Sequence, residues 1–203
     1  MKRIAFDVGQ VLCHVDLDKF TTKYNQIIPK YAPKAIIQDG LEFLINIQKR
    51  VDIGESSVCS EIKSITNNHI VIKTMLEIWN DCIIPNEKVI AFKNKLIKEG
   101  GQVAIMSNMG QDHYNFIKTK HPSIFQGCKL FLSFTAHVRK PERSFYKRFL
   151  QQNPKFRGCV YLDDMIENLN TSKLYEFSTY KFDLQTITNI DLELENVYKL
   201  LNT

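Results

Sequence analysis

The chain has 203 residues, 44% hydrophobic and 24% charged, with 8 glycines and 6 prolines; this balance excludes collagen-like, low-complexity and intrinsically disordered classes. The formal charge of +5, from 27 Lys and Arg against 22 Asp and Glu, forms no long single-sign block. It therefore suits an anionic small ligand at least as well as nucleic acid.

The segment Arg3–Phe6 is short, apolar and bounded by polar residues, and so reads as a buried strand. From Asp16 to Cys82 strand-like runs disappear. Helical spacing recurs there over Phe20–Ile28, Ala35–Ile47, Val58–Ile65 and Ile70–Trp79, punctuated by Pro29, Pro33 and Gly54. Pro85 and Asn86 then open a helix whose Val89, Phe92 and Leu96 share a face, and Gly100-Gly101 closes it. Further strands are predicted at Gln102–Met106, Leu130–Phe134, Cys159–Leu162 and, more weakly, Thr179–Phe182. Helices at Asp112–Lys120, Glu142–Gln151 and Glu167–Glu176 separate them, and an amphipathic segment Leu192–Leu201 packs back on the sheet. Such alternation predicts an α/β fold with a parallel sheet flanked by helices, interrupted after its first strand by an all-helical insertion.

Polar residues gather at the strand ends. Ile4-Ala5-Phe6 runs into Asp7, Val103–Met106 into Ser107-Asn108, and Val160-Tyr161-Leu162 into Asp163-Asp164. In an open parallel sheet the carboxyl ends of the strands face the ligand crevice, so these groups converge there. A single Asp in such a place serves equally well as a helix cap. Three acids with a Ser-Asn pair at one edge favour a site. Converging carboxylates demand a cation, and hard oxygen donors without a matching His or Cys set point to Mg²⁺. With Lys140 in the loop after the third predicted strand, the set reads as a phosphate site: nucleophile, metal, hydroxyl donor and fixed positive charge.

These residues resemble the haloacid dehalogenase-like (HAD) hydrolase superfamily. Ile4-Ala5-Phe6-Asp7-Val8-Gly9-Gln10-Val11-Leu12 is similar to its first motif, Met106-Ser107-Asn108 to its second, Arg139-Lys140-Pro141 to its third, and Leu162-Asp163-Asp164 with Asn168 to its fourth. The resemblance implies a Rossmann-like core over 1–15 and 84–203 with a helical cap over 16–83. It also implies Mg²⁺-dependent phosphatase chemistry on a small, sugar phosphate-like metabolite through an aspartyl-phosphate. Asp7 would be the nucleophile, Ser107 the donor to a phosphoryl oxygen, and Lys140 the charge neutraliser. Asn108 and His113 would join Ser107 and Lys140 around the phosphate. Asp7, the Gly9 carbonyl, Asp164 and Asp163 would hold the metal, with Asn168 near it or its waters.

Gly9 is the departure: most phosphatases of the superfamily carry there an Asp that protonates the leaving oxygen. The Asp-x-Gly form, together with Asp52-Ile53-Gly54-Glu55-Ser56, Trp79-Asn80 and His113, resembles the α-glucose-1-phosphate phosphatase-like branch. His113 is a candidate stand-in acid or an ordinary helix histidine. Asp16 and Asp18 read as starts of the first cap helix, Trp79 as cap core, and Arg139 and Arg143 as a solvated basic loop. Two other readings stay open, a catalytically lapsed binding or regulatory protein and a 2-haloacid dehalogenase. Nucleic-acid binding lacks a basic stripe with interleaved aromatics.

The five cysteines (Cys13, Cys59, Cys82, Cys128, Cys159) are odd in number and form no C-x-x-C pair, which argues for a reduced cytoplasmic setting. No run approaches the ~18 apolar residues of a membrane span, and the short first run is broken by Asp7, so neither insertion nor export is expected. The composition sets no oligomeric state.

Overall fold

The computed structural model describes residues 2–31 and 39–202. Pro33 and the start of the helix expected from Ala35 lie outside the described residues. In chain order come β1 (Arg3–Phe6), β2 (Cys13–Val15), α1 (Leu17–Ile27), α2 (Gly40–Asp52), α3 (Val58–Ile65), α4 (His69–Asp81) and β3 (Ile83–Pro85). Then follow α5 (Glu87–Lys98), β4 (Gln102–Ser107), α6 (Gln111–Lys120), β5 (Lys129–Leu132), α7 (Ser133–Ala136), α8 (Arg143–Gln152), β6 (Val160–Asp163), α9 (Ile166–Lys173), β7 (Ser178–Lys181) and α10 (Ile190–Leu200).

Among the described residues, five strands form one parallel sheet in the order β5-β4-β1-β6-β7. Strand side chains alternate between faces, and the sequence uses the two faces differently. Ile4, Phe6, Val103, Ile105, Val160 and Leu162 point to the layer that also holds Val89 and Leu96 of α5 and Val197 of α10. Ala5, Ala104, Met106 and Tyr161 point the other way, where the small alanines leave room for the rings of Phe131, Phe145, Tyr146 and Phe149. Phe131 and Phe145 meet edge to face with centroids 4.9 Å apart. Each fully buried ring of this layer contributes about 1.5–3 kcal/mol by leaving water.

The helices α1 to α4 pack around their own core of Phe20, Tyr24, Phe43, Ile47, Val58, Ile62 and Met75. Each begins on a side chain that accepts a hydrogen bond from its first turn: Asp16, Asp39, Ser57 and Asn68 respectively. Such caps are worth about 1 kcal/mol apiece. At both crossings between this helical cap and the sheet stands an antiparallel ribbon, β2 paired with β3.

Several expected boundaries are corrected. The strand predicted at Leu130–Phe134 stops at Leu132, the last residue paired with β4, because Ser133 and Phe134 turn into α7. Pro85 closes β3 instead of opening α5, and Asn86 alone is the cap. The strand predicted at Cys159–Leu162 shifts one residue along, since Asp163 still pairs with Lys181. No described helix is long and apolar enough to cross a membrane.

Candidate functional site

Asp7 follows the last residue of β1, Ser107 ends β4, and Asp163 ends β6, so three adjacent strands of the sheet deliver them to one edge. Lys140 reaches the same point from the loop between α7 and α8. Its Nζ lies 2.9 Å from Asp7 Oδ2 and 2.7 Å from Asp163 Oδ2, and it also donates to the Tyr161 hydroxyl at 3.1 Å. The lysine is only 1% exposed. Burial works against its charge, but Asp163 and Asp7 outweigh that cost and hold the ammonium above its ordinary range.

The backbone of Lys140 is fixed as firmly as its tip. Asn108 Nδ2 donates to the Lys140 carbonyl at 2.9 Å, and the Lys140 amide donates to Asn108 Oδ1 at 2.8 Å. Asp7 Oδ1 accepts the Val8 amide at 2.6 Å, which sets its rotamer. Ser107, 2% exposed, donates from its Oγ to the Asn108 carbonyl at 3.4 Å and favours the charged form of the neighbouring Asp7.

Asp163 is fully buried and saturated. Oδ1 accepts the Met165 amide and Asn168 Nδ2, both at 2.9 Å, while Oδ2 accepts from Lys140 and from the Tyr161 hydroxyl. Four donors engage this carboxylate, which positions Lys140 while remaining part of the Asp7, Asp163 and Asp164 cluster. Asn168 likewise serves Asp163. Asp164 is the partly exposed carboxylate, and burial, then Asp7 and Asp163, push it up to about 7. Oxygens of Asp7, Asp163 and Asp164 lie within 4.8 Å of one another. That crowding of like charge, only partly balanced by Lys140, fits a hard divalent cation. Asp7, Asp163 and Asp164 are the side chains that could hold it.

A cavity of about 280 Å³ extends from Val8, Gly9 and Asn108 into the space beneath the cap. Its walls are chiefly apolar, with Val15, Leu44, Val51 and Trp79 among them. His113, expected near the phosphate, also lines it. Its ring stacks on Trp79 with centroids 4.2 Å apart, and Nε2 lies 3.4 Å from the Trp79 carbonyl. Desolvation lowers its pKa to about 4, which favours the neutral imidazole.

Two residues near the site had other readings in the sequence. Arg139, expected to be solvated, turns its Nη2 to Asp52 Oδ2 of the cap at 3.2 Å. Tyr161 lies two residues before Asp163 on one strand, so both side chains share a face, a spacing visible in the sequence.

No known family model matches the sequence. Solved structures nevertheless show the same fold: this is the HAD fold, a parallel sheet with a helical cap inserted after its first strand. The HAD family enzyme BT-2542 from Bacteroides thetaiotaomicron, as its magnesium complex, superposes with a TM-score of 0.74 at 17% identity, over 95% of this chain and 98% of that one. The same enzyme with magnesium and inorganic phosphate gives 0.71 at 20% identity, over 89% and 93%. A predicted HAD-like family hydrolase from Porphyromonas gingivalis gives 0.74 at 15% identity, over 100% and 98%.

Proposed function

We propose that the protein is a Mg²⁺-dependent phosphomonoester hydrolase of the HAD superfamily, moving the phosphoryl group of a small metabolite first to Asp7 and then to water. The observation that carries this reading is Lys140 Nζ held between Asp7 and Asp163, with Asp164 completing the cluster. The magnesium and inorganic phosphate bound by BT-2542 support it. When bound, magnesium would supply a hard positive centre beside the crowded carboxylates and the phosphoryl oxygens.

This chain's own residues do the rest. Asp7 attacks phosphorus, with its free lone pair aimed by the Val8 amide. Ser107 donates to one phosphoryl oxygen, and Lys140 neutralises another while Asp163 and Tyr161 keep it charged and still. Asn108 keeps the Lys140 loop against β4. Phosphoryl transfer asks for little more than positioning and charge balance, and this arrangement offers both. The apolar walls of the cavity favour a compact alcohol with an apolar face over a bare polyol, which moves the expected sugar phosphate toward less polar esters.

Dehalogenation is disfavoured because that reaction needs no metal, whereas the crowded carboxylates of Asp7, Asp163 and Asp164 call for a cation. The test is phosphate release from p-nitrophenyl phosphate and a panel of alkyl and sugar phosphates, with Mg²⁺ or EDTA, for wild type and Asp7→Asn. Turnover that needs Mg²⁺ and disappears in Asp7→Asn is the expected result. Chloride release from 2-chloroacids in EDTA, or a folded protein silent on the whole panel, would overturn the reading.

A further inference from the structure

On the phosphatase reading, the resemblance puts the group that protonates the leaving oxygen at position 9, where this chain has Gly9 and no side chain. The backbone does not demand this: a Cβ on Gly9 would meet only Val15 Cγ2, at an ordinary 3.6 Å. Another group must then carry the proton, and the His113 ring is stacked on Trp79 with its Nε2 turned to the Trp79 carbonyl. Asp52, the last residue of α2, is 7% exposed and lines the same cavity as Gly9 and Asn108. Its Oδ2 lies 3.2 Å from Arg139 yet has no aligned hydrogen-bond partner among the described residues.

The chain on either side of Asp52 is clamped to the core. A Cβ on Gly110 would strike Val51 Cγ1 at 2.4 Å, so α6 closes directly on Val51. The Ile53 carbonyl meets His137 Nδ1 at 2.9 Å. Gly54, at φ +78°, packs so closely that a Cβ would sit 2.7 Å from the Phe134 carbonyl. Arg139 immediately precedes Lys140, which grips Asp7. A buried carboxyl, ion-paired with Arg139, is thereby fixed in the wall of the cavity that Val8, Gly9 and Asn108 also line.

We infer that Asp52 is the catalytic acid and base that replaces the side chain missing at Gly9. The inference rests on the phosphatase reading above. In the first step the Asp7 oxygen bonds to phosphorus, the bond from phosphorus to the leaving oxygen breaks, and that oxygen takes its electron pair and the Asp52 proton to leave as an alcohol. In the second, Asp52 carboxylate accepts a proton from water as the water oxygen bonds to phosphorus. The bond from phosphorus to Asp7 breaks, which releases inorganic phosphate and restores both carboxyls. Burial, opposed by Arg139 and Lys140 and aided by Asp7, lifts the Asp52 carboxyl to about 6, where both protonation states are within reach.

The experiment compares wild type, Asp52→Asn, Asp52→Glu and Asp52→Asn/Gly9→Asp on an alkyl phosphate and on p-nitrophenyl phosphate, with Mg²⁺, after thermal unfolding shows each variant folded. Asp52→Asn should lose about 10²–10⁴-fold on the alkyl phosphate, the usual worth of a positioned acid or base. On p-nitrophenyl phosphate, whose leaving group needs no proton, it should release a burst of one p-nitrophenolate per enzyme and then turn over slowly. Asp52→Glu should retain more activity than Asp52→Asn, and Gly9→Asp should restore turnover to Asp52→Asn. Equal losses on both substrates with no burst and no rescue, or alkyl phosphate turnover close to wild type, would overturn the role of Asp52. A wild type inactive on both substrates would instead sink the phosphatase reading, and the role of Asp52 with it.

Discussion

Asn108 and Lys140, from different loops, exchange two hydrogen bonds, at 2.9 and 2.8 Å, between one side-chain amide and one residue's backbone. The loop that carries the site's lysine is thus fastened to the strand that carries Ser107. Asn108→Ala removes both bonds and leaves a buried amide and carbonyl unpaired, at about 1–3 kcal/mol. We predict a lower unfolding temperature and a fall in kcat larger than any rise in KM, measured on p-nitrophenyl phosphate, because Lys140 loses its fixed position.

Tyr161 connects the aromatic layer beneath the sheet to the site, through its hydroxyl to Asp163 and Lys140. Tyr161→Phe keeps the ring and its packing while removing one of the four donors on Asp163. The expected outcome is a folded protein with turnover reduced about tenfold, the equivalent of one ordinary hydrogen bond near 1.4 kcal/mol. Unchanged turnover would show that Asp163 needs no support from this side.

Gly54 should be intolerant for two reasons that a comparison separates. Gly54→Ala places a side chain at φ +78° and drives it against the Phe134 carbonyl, whereas Gly100→Ala at φ +80° meets nothing within 4 Å. Denaturant unfolding should show about 1 kcal/mol lost at Gly100, the backbone cost alone, and clearly more at Gly54. Only Gly54→Ala should also weaken activity, since it displaces the segment that holds Asp52.

The Asp52 carboxyl also leaves a mark on stability. Its folded value, about 6, is raised from the ordinary 3.8 by burial first, so the folded protein binds this proton more tightly than the unfolded chain. Between pH 3.8 and 6 the wild type therefore loses stability from this group as pH rises, by at most about 3 kcal/mol. Asp52→Asn never ionises. In EDTA it should unfold at a higher temperature than wild type at neutral pH, with the difference fading toward pH 4. A variant less stable than wild type across that whole range would contradict the raised value.

Much of the site was legible in the chain because parallel strands deliver their carboxyl ends to one edge. Asp7, Ser107 and Asp163 sit there for that reason, and Lys140 joins them from a loop whose position a strand-end rule brackets. The way Asp163 is held was not legible, since it depends on Tyr161, Asn168 and the Met165 amide arriving together. The ribbon of β2 and β3 escaped detection because its strands have three residues each and one contains Pro85. Asp52 could not be placed at the site from spacing, because it reaches the core through the docking of α2 against Gly110, Phe134 and His137. His113 lies close to Ser107 in sequence, whereas its stacking on Trp79 depends on how α4 meets α6 in the fold.

The most direct measurement of the central claim is the mass of the Asp7 peptide after wild type and Mg²⁺ are mixed with p-nitrophenyl phosphate and quenched in acid within one turnover. The account predicts one added phosphoryl group on Asp7 in wild type and none in Asp7→Asn. Rapid p-nitrophenolate release with Asp7 unmodified, or continued turnover by Asp7→Asn, would contradict it.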